Sequence, residues 1–357
     1  MPAFTFVDKP DTITPELEVH PCLGVDTEFI REKTFYAQLC LLQVATPDRI
    51  YCVDPLAGNP MQRFWDDTFR KTWVVHSARQ DIEVVFQSAG AMPGALFDTQ
   101  IAAGLLGMQP QIGYAGLVKA LFDVDLPKTH TRADWSQRPL PDALLHYAVE
   151  DVEHLLPAFE LLVDRLDKAG RKGWAEQDSR LLLDESLYAF DGAQAIERLK
   201  GARNMRGRRR SAAERLAVWR ETEAARRNRP RQWILRDTAL LELAQKLPET
   251  LAALRGIDGL PPKLVGRAGE ELLDVLAQAA QDDHDYRPPP APNEQQKKLQ
   301  KAMQAAVAKC ADELGISPEL VASRKELSAA ILSGDTASRV FRGWRRPLIG
   351  ERLLQLL

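Results

Sequence analysis

The chain has 357 residues, 45% of them hydrophobic and 27% charged. This ordinary globular balance excludes a disordered, collagen-like or disulfide-stapled protein and allows two or three domains. The formal net charge of −3 hides an asymmetry: residues 1–190 hold 17 Lys+Arg against 28 Asp+Glu, a net of −11, while the remainder holds 30 against 22, a net of +8. Residues 192–236 alone carry 14 basic and 4 acidic side chains. Such a split suits a front that holds cations and a rear that attracts a polyanion. Cys22, Cys40, Cys52 and Cys310 form no CxxC pair, which argues against structural zinc. No apolar run approaches the roughly 18–20 residues of a membrane span, and no basic start followed by an apolar stretch marks a secretory leader. The expectation is a soluble cytoplasmic protein that engages no membrane.

In chain order, Pro21 to Val25, Leu39 to Ala45, Ile50 to Val53 and Thr72 to Val75 are apolar runs of strand length. Amphipathic stretches such as Gln80 to Ala89 lie between them, so the front reads as α/β with a parallel or mixed sheet covered by helices. A strong helical pattern starts near Pro141-Asp142 and runs through ALLHYAVEDVEHLL, with Pro157 marking a kink or a new helix. From about residue 190 the strands disappear. Ser211 and Glu214 form a capping-box pattern before AAERLAVWRETEAARR, and further helices are predicted at Thr238–Lys246, Glu249–Arg255 and Pro262–Ala280. A proline-rich break at Asp285–Asn293 precedes a helix at Asn293–Leu314 and another capping box at Ser323–Glu326. The predicted domains are therefore 1–190, a basic connector over 191–210, a helical unit over 211–284, a linker over 285–293 and a second helical unit over 294–357. All the chemistry is expected in the first.

Three motifs carry that chemistry. In GVDTEF, residues 24–29, Asp26 and Glu28 project from one face of a strand. Two anions side by side repel unless a cation lies between them, and oxygen ligands suit Mg²⁺ or Mn²⁺. Asp81 falls in the first turn of a helix that follows a strand, where an acid also serves the helix dipole. Tyr147 and Asp151 are four apart on a helix and share a face. His76 reads as a turn-stabilising residue rather than a base. Arg132, Trp135 and Arg138 form a polar-aromatic group just before the catalytic helix, fit to pair with phosphate and stack on a base. Arg203, Arg206, Arg208, Arg209 and Arg210 form a basic block that would attract phosphate without sequence preference.

The order of these motifs resembles the tyrosine-containing subclass of the DEDD exonuclease superfamily. The segments DTEFIREKTFYAQLCLLQVAT, HSARQDIEVVF, FDTQIAAGLLG, TRADWSQRPL and YAVEDVEHLLP are similar to ribonuclease D in order and wording, across nearly all of residues 20–190. The helical rear resembles the HRDC domain over 211–284, and 294–357 is a second, less clear HRDC-like unit. The resemblance implies an RNase H-like fold, a mixed sheet flanked by helices, followed by all-α HRDC-type units. It implies a 3′→5′ exoribonuclease that trims tRNA precursors with 3′ extensions and other structured RNA, releasing nucleoside 5′-monophosphates. Asp26, Glu28, Asp81 and Asp151 would hold two divalent cations (Mg²⁺ or Mn²⁺), with Asp26 bridging both, and Tyr147 would orient the attacking water. Arg132, Trp135, Arg138, Arg206, Arg208, Arg209 and Arg210 are the expected RNA contacts, and no obligate protein partner is expected. A DNA exonuclease of the same fold and an inactive nucleic-acid-binding scaffold are the alternatives. The scaffold would have no use for four converging acids, which repel without metal.

Overall fold

The computed structural model describes residues 3–127, 133–189, 192–282 and 291–357. Arg132 and most of the proline-rich linker lie outside them. The chain forms two compact units, one of Met1–Ile30, Leu39–Tyr188 and Pro292–Leu357, the other of Arg31–Gln38 and Ala189–Ala291.

The first unit is built on a six-stranded sheet: β1 (Phe4–Val7), β2 (Cys22–Ile30), β3 (Gln38–Ala45), β4 (Ile50–Val53), β5 (Thr72–Val75) and β6 (Ala95–Asp98). Its order is β1-β4-β3-β2-β5-β6. The pairs β1–β4, β2–β5 and β5–β6 are parallel, and β3–β4 is antiparallel, so the sheet is mixed. The four predicted strands are present. Two more stand at the sheet's edges. Of these, β1 is mostly solvent-facing. β3 reads as a nearly unbroken apolar run because it is buried along almost its whole length.

Helices α1 (Thr14–Glu18), α2 (Gln62–Thr68), α3 (Arg79–Ala89), α4 (Thr99–Leu105), α5 (Tyr114–Phe122), α6 (Asp142–Glu153), α7 (Leu155–Lys168) and α8 (Lys172–Arg180) complete the α/β part. Pro157 stands near the start of α7, as a new helix requires. The parallel pairing of β2 with β5 sets Gly24 opposite Val74, so the carboxyl end of β5 lies beside the middle of β2. On that register Asp26 stands level with His76.

In the second unit α9 (Gly207–Arg226), α10 (Arg231–Ile234), α11 (Asp237–Lys246), α12 (Leu251–Arg255) and α13 (Pro262–Ala279) enclose Leu216, Leu240, Leu243, Leu254 and Leu272. Two expectations change here. The described part of the predicted connector, residues 192–210, is not open chain. Short helical turns over 192–204 bury Ala195, Leu199 and Ala202 in this core, and α9 begins inside the basic block. Ser211 is therefore not a cap but a buried position within α9, hydrogen-bonded to Asp282.

The C-terminal segment holds α14 (Glu294–Leu314), α15 (Pro318–Val321), α16 (Arg324–Ser333) and α17 (Glu351–Leu354). Both Asn293 with Gln296 and Ser323 with Glu326 form capping boxes. This segment is not a separate body. Met303, Val307, Val321 and Trp344 share one core with Ala103 and Leu105 of α4 and Leu162 of α7. Trp344 stacks on Trp174 with centroids 4.3 Å apart, and Arg345 forms a buried two-pronged ion pair with Asp178 at 2.7 and 2.6 Å. Its apolar helix faces need a partner, and α4, α7 and α8 supply it. No helix among the described residues is long and apolar enough to cross a membrane.

Candidate active site

Asp26 and Glu28 lie within β2, on the face that Gly24 leaves open. A side chain at Gly24 would meet the Cβ atoms of Ala45 and Leu155, each at 3.2 Å. The bare glycine thus lets the start of α7 sit against β2, which brings the end of α6 over the two acids. One carboxylate oxygen from each of Asp26, Glu28 and Asp151 falls within 4.8 Å of the others.

Asp81 reaches the group from the other side of the strand. Thr27 points opposite to its neighbours, is buried, and donates its hydroxyl to the Asp81 carboxylate at 2.5 Å. Asp81 stands outside the 4.8 Å trio, yet its charge acts on both Asp26 and Glu28. Its helix is launched by a turn in which Ser77 has φ +60°. Asp98 secures this turn, accepting from the backbone N–H groups of Ser77 at 3.2 Å and Ala78 at 2.9 Å. The same carboxylate caps α4 through the N–H groups of Gln100 and Ile101. Sequence reasoning missed Asp98, although an Asp ahead of an apolar stretch such as IAAGLL is a capping signal.

Burial pushes all four acids upward in pKa: Asp26 well above the carboxylate range, Glu28 to about 8, Asp81 to about 7 and Asp151 to about 6. Mutual repulsion adds to burial for Asp26 and Glu28, whereas bonds from Thr27 and Tyr147 partly offset it at Asp81 and Asp151. Acids this close need either protons or a cation between them. An all-oxygen donor set fits a hard divalent cation, and the residues present therefore fit such an ion.

Tyr147 donates to Asp151, and burial with the surrounding anions holds its phenol above its usual range. The ring lies 6.2 Å from that of Trp135, which is only 4% exposed. Trp135 is therefore a core residue supporting Tyr147, not an open stacking surface. Arg138 is also internal. Its Nε and Nη2 grip the Asp54 carboxylate at 2.7 and 2.6 Å, while Nη1 and Nη2 donate to the carbonyls of Trp135, Gln137 and Cys40. All five donors are taken, leaving none for RNA. A pairing across 84 residues left no local signal in the sequence.

His76 is likewise engaged. Its Nε2 faces the Ile112 carbonyl and its Nδ1 the Thr99 hydroxyl, each at 2.9 Å, and burial lowers its pKa. It braces the turn and has no free nitrogen for water. Tyr114, which the motif reading passed over, accepts from the His154 N–H at the junction of α6 and α7. In the second unit, Arg203, Arg206, Arg208 and Arg209 are exposed. Arg210 is buried against Glu214 at 2.7 Å and the Ala202 carbonyl at 3.0 Å, so it is structural.

Comparison with known proteins agrees with this geometry. The 3′–5′ exonuclease family model matches residues 5–167, and the HRDC domain model matches residues 209–276. The chain is 35% identical to ribonuclease D of Gluconacetobacter diazotrophicus over 358 residues, covering 96% of this chain and 89% of that one. It is also 35% identical to ribonuclease D of Pseudomonas paraeruginosa, covering 96% and 93%. The crystal structure of Escherichia coli RNase D, an exoribonuclease involved in structured RNA processing, superposes with a TM-score of 0.87 at 26% identity, covering 99% and 98%. Exonucleases of this type depend on divalent metal, and the chain carries a carboxylate cluster for it. On identity over nearly its whole length, joined to a carboxylate site set in an exonuclease fold, the chain belongs to the ribonuclease D family and is a 3′–5′ exoribonuclease.

Proposed function

We propose that this chain trims the 3′ ends of precursor tRNA and other structured RNA, removing one nucleoside 5′-monophosphate per cycle. The observation that carries the reading is the trio of Asp26, Glu28 and Asp151 oxygens within 4.8 Å, with Tyr147 bonded to the third. Asp26, Glu28, Asp81 and Asp151 would hold two divalent cations, magnesium or manganese. When bound, these supply charge neutralisation at the scissile phosphate and a lower pKa for the attacking water.

The protein's own part is positional. Asp26 and Glu28 are fixed by their strand and Asp151 by its helix, so the ligand oxygens converge without rearrangement. Tyr147 keeps its proton at working pH and serves as a hydrogen-bond donor rather than a base. It would hold the water for in-line attack on the terminal phosphodiester. The P–O3′ bond then breaks, and the shortened RNA takes a proton on its new 3′ hydroxyl. Arg203, Arg206, Arg208 and Arg209, exposed on the second unit, would attract the RNA backbone.

The test is incubation with a 3′-extended tRNA and a matched DNA oligomer, with Mg²⁺ and with EDTA. Mononucleotide release from the tRNA alone, abolished by EDTA, is the expected result. Equal release from DNA would favour a general exonuclease.

A further inference from the structure

Gln43 is completely buried, and among the described residues neither its Oε1 nor its Nε2 has a hydrogen-bond partner. A buried amide left unpaired costs about 1–3 kcal/mol, so its retention calls for a reason. Its place in the sheet suggests one. β2 and β3 are neighbours joined by a loop too short for a crossover, so they run antiparallel. A Cβ on Gly24 would lie 3.2 Å from the Cβ of Ala45, so these two residues face each other on one side of the sheet. The Ile30 backbone N–H reaches the Cys40 sulfur at the other end of the pair, which agrees with that register. Two residues along each strand from Gly24 and Ala45 stand Asp26 and Gln43. They are therefore cross-strand neighbours on the face that carries Glu28.

We propose that Gln43 is a positioning residue for Asp26. Its Nε2–H groups donate through one buried water to the Asp26 carboxylate and fix its plane for the cation. A carboxylate offers about four lone-pair sites, enough to serve a metal and a supporting donor together. Supporting donors of this kind typically alter metal affinity by about 10–100-fold. The inference rests on the metal-site reading above.

The experiment uses the full chain carrying Gln43→Leu, which keeps the volume and removes both polar groups. Asp151→Asn serves as the control for the site itself. Three quantities are read: the thermal midpoint of EDTA-treated protein, Mn²⁺ affinity by calorimetry, and kcat on a short RNA across a metal series. The expected result is a midpoint unchanged or raised, Mn²⁺ affinity lowered about tenfold or more, and kcat restored by excess metal. A midpoint that rises while Mn²⁺ affinity stays at the parent value would overturn the proposal, since Gln43 would then be an unpaired core residue and nothing more. If Gln43→Leu does not fold, Gln43→Met is measured in the same way, and failure of both assigns Gln43 to core packing and also overturns it. Should Asp151→Asn bind Mn²⁺ as the parent does, the metal-site reading fails, whatever Gln43→Leu shows.

Discussion

Tyr147 donates its phenolic hydrogen to Asp151, one turn farther along α6. The bond ties the group proposed to hold the water to a group proposed to hold the metal. It also assigns them unequal weights. Asp151→Asn removes a metal-binding charge at constant volume and should lower kcat about a thousandfold, with Tm and RNA affinity nearly unchanged. Tyr147→Phe keeps the ring against Trp135 and loses only the hydroxyl, so a fall of about 10–100-fold is expected. Single-turnover kinetics with calorimetric metal titration would check both. Equal losses from the two changes would contradict the assigned roles.

The raised carboxyl pKa values predict how the metal-free protein responds to pH. Unfolded Asp and Glu titrate near 4, whereas Asp151, Asp81 and Glu28 titrate near 6, 7 and 8 in the fold. Between about pH 4 and 8 the folded state thus binds more protons than the unfolded one. Stability of the metal-free form should therefore fall as pH rises through this window. Metal removes the repulsion, so the gain in Tm from Mg²⁺ should grow from pH 5 to pH 8. Calorimetry in buffers of different ionisation enthalpy should show proton release on metal binding at pH 6–7. A metal-induced gain independent of pH would mean that the ion binds elsewhere.

Gly24 should be sensitive to the smallest possible enlargement. The added Cβ of Gly24→Ala would stand 3.2 Å from the Cβ atoms of Ala45 and Leu155, both fixed to backbone. Relief requires the start of α7, and with it Asp151, to move away from Asp26. A loss of about 1–3 kcal/mol of stability is expected, together with weaker metal binding. A variant that loses stability but binds metal normally would show that α6 adjusts independently of α7.

The carboxylate group was legible because two local periodicities point at it, alternation for Asp26 and Glu28 and helical spacing for Tyr147 and Asp151. Asp81 was legible only through the order of the motifs, since a first-turn acid is ordinary by itself. Arg138 was misplaced because its partner is remote in the chain. Arg138 and Asp54 pair across 84 residues. Nothing near an arginine in sequence tells whether its partner is a distant carboxylate or a phosphate. The predicted connector failed differently. Its arginines dominate the composition, while the small residues Ala195 and Ala202, which bury it, carry little hydrophobic signal.

Arg206, Arg208 and Arg209 stand exposed at the start of α9, where the helix dipole also favours anions. Replacing all three by alanine should weaken binding of tRNA-sized RNA. It should also reduce the log–log salt slope by about 2–3, since the slope tracks the phosphates neutralised. Hydrolysis of a short oligomer should change little. Arg210→Ala should instead lower the stability of the second unit, because its partners are Glu214 and the Ala202 carbonyl. Filter binding over a salt series separates the two effects, and an unchanged slope in the triple variant would remove this face from the RNA path.

The C-terminal segment gives the sharpest departure from the sequence reading, which placed all the chemistry in residues 1–190 and a separate helical unit over 294–357. Residues 292–357 belong to the same compact unit as the catalytic sheet. Deleting them would expose the faces of α4, α7 and α8 that pack against Met303, Val307 and Val321. It would also leave Asp178, only 6% exposed, without Arg345. A buried carboxylate that loses its partner costs about 3–5 kcal/mol. Truncation after residue 291 should therefore yield an aggregating or inactive protein. Arg345→Met should lower Tm by about 6–20 °C, on the scale of about 2–4 °C per kcal/mol for a unit of this size. The double change Arg345→Met with Asp178→Asn should recover part of the loss, because the unpaired charge is then gone. Differential scanning calorimetry on the three proteins provides the check. A truncated chain as stable and active as the full one would show that the helical segment is an appendage, whatever its packing.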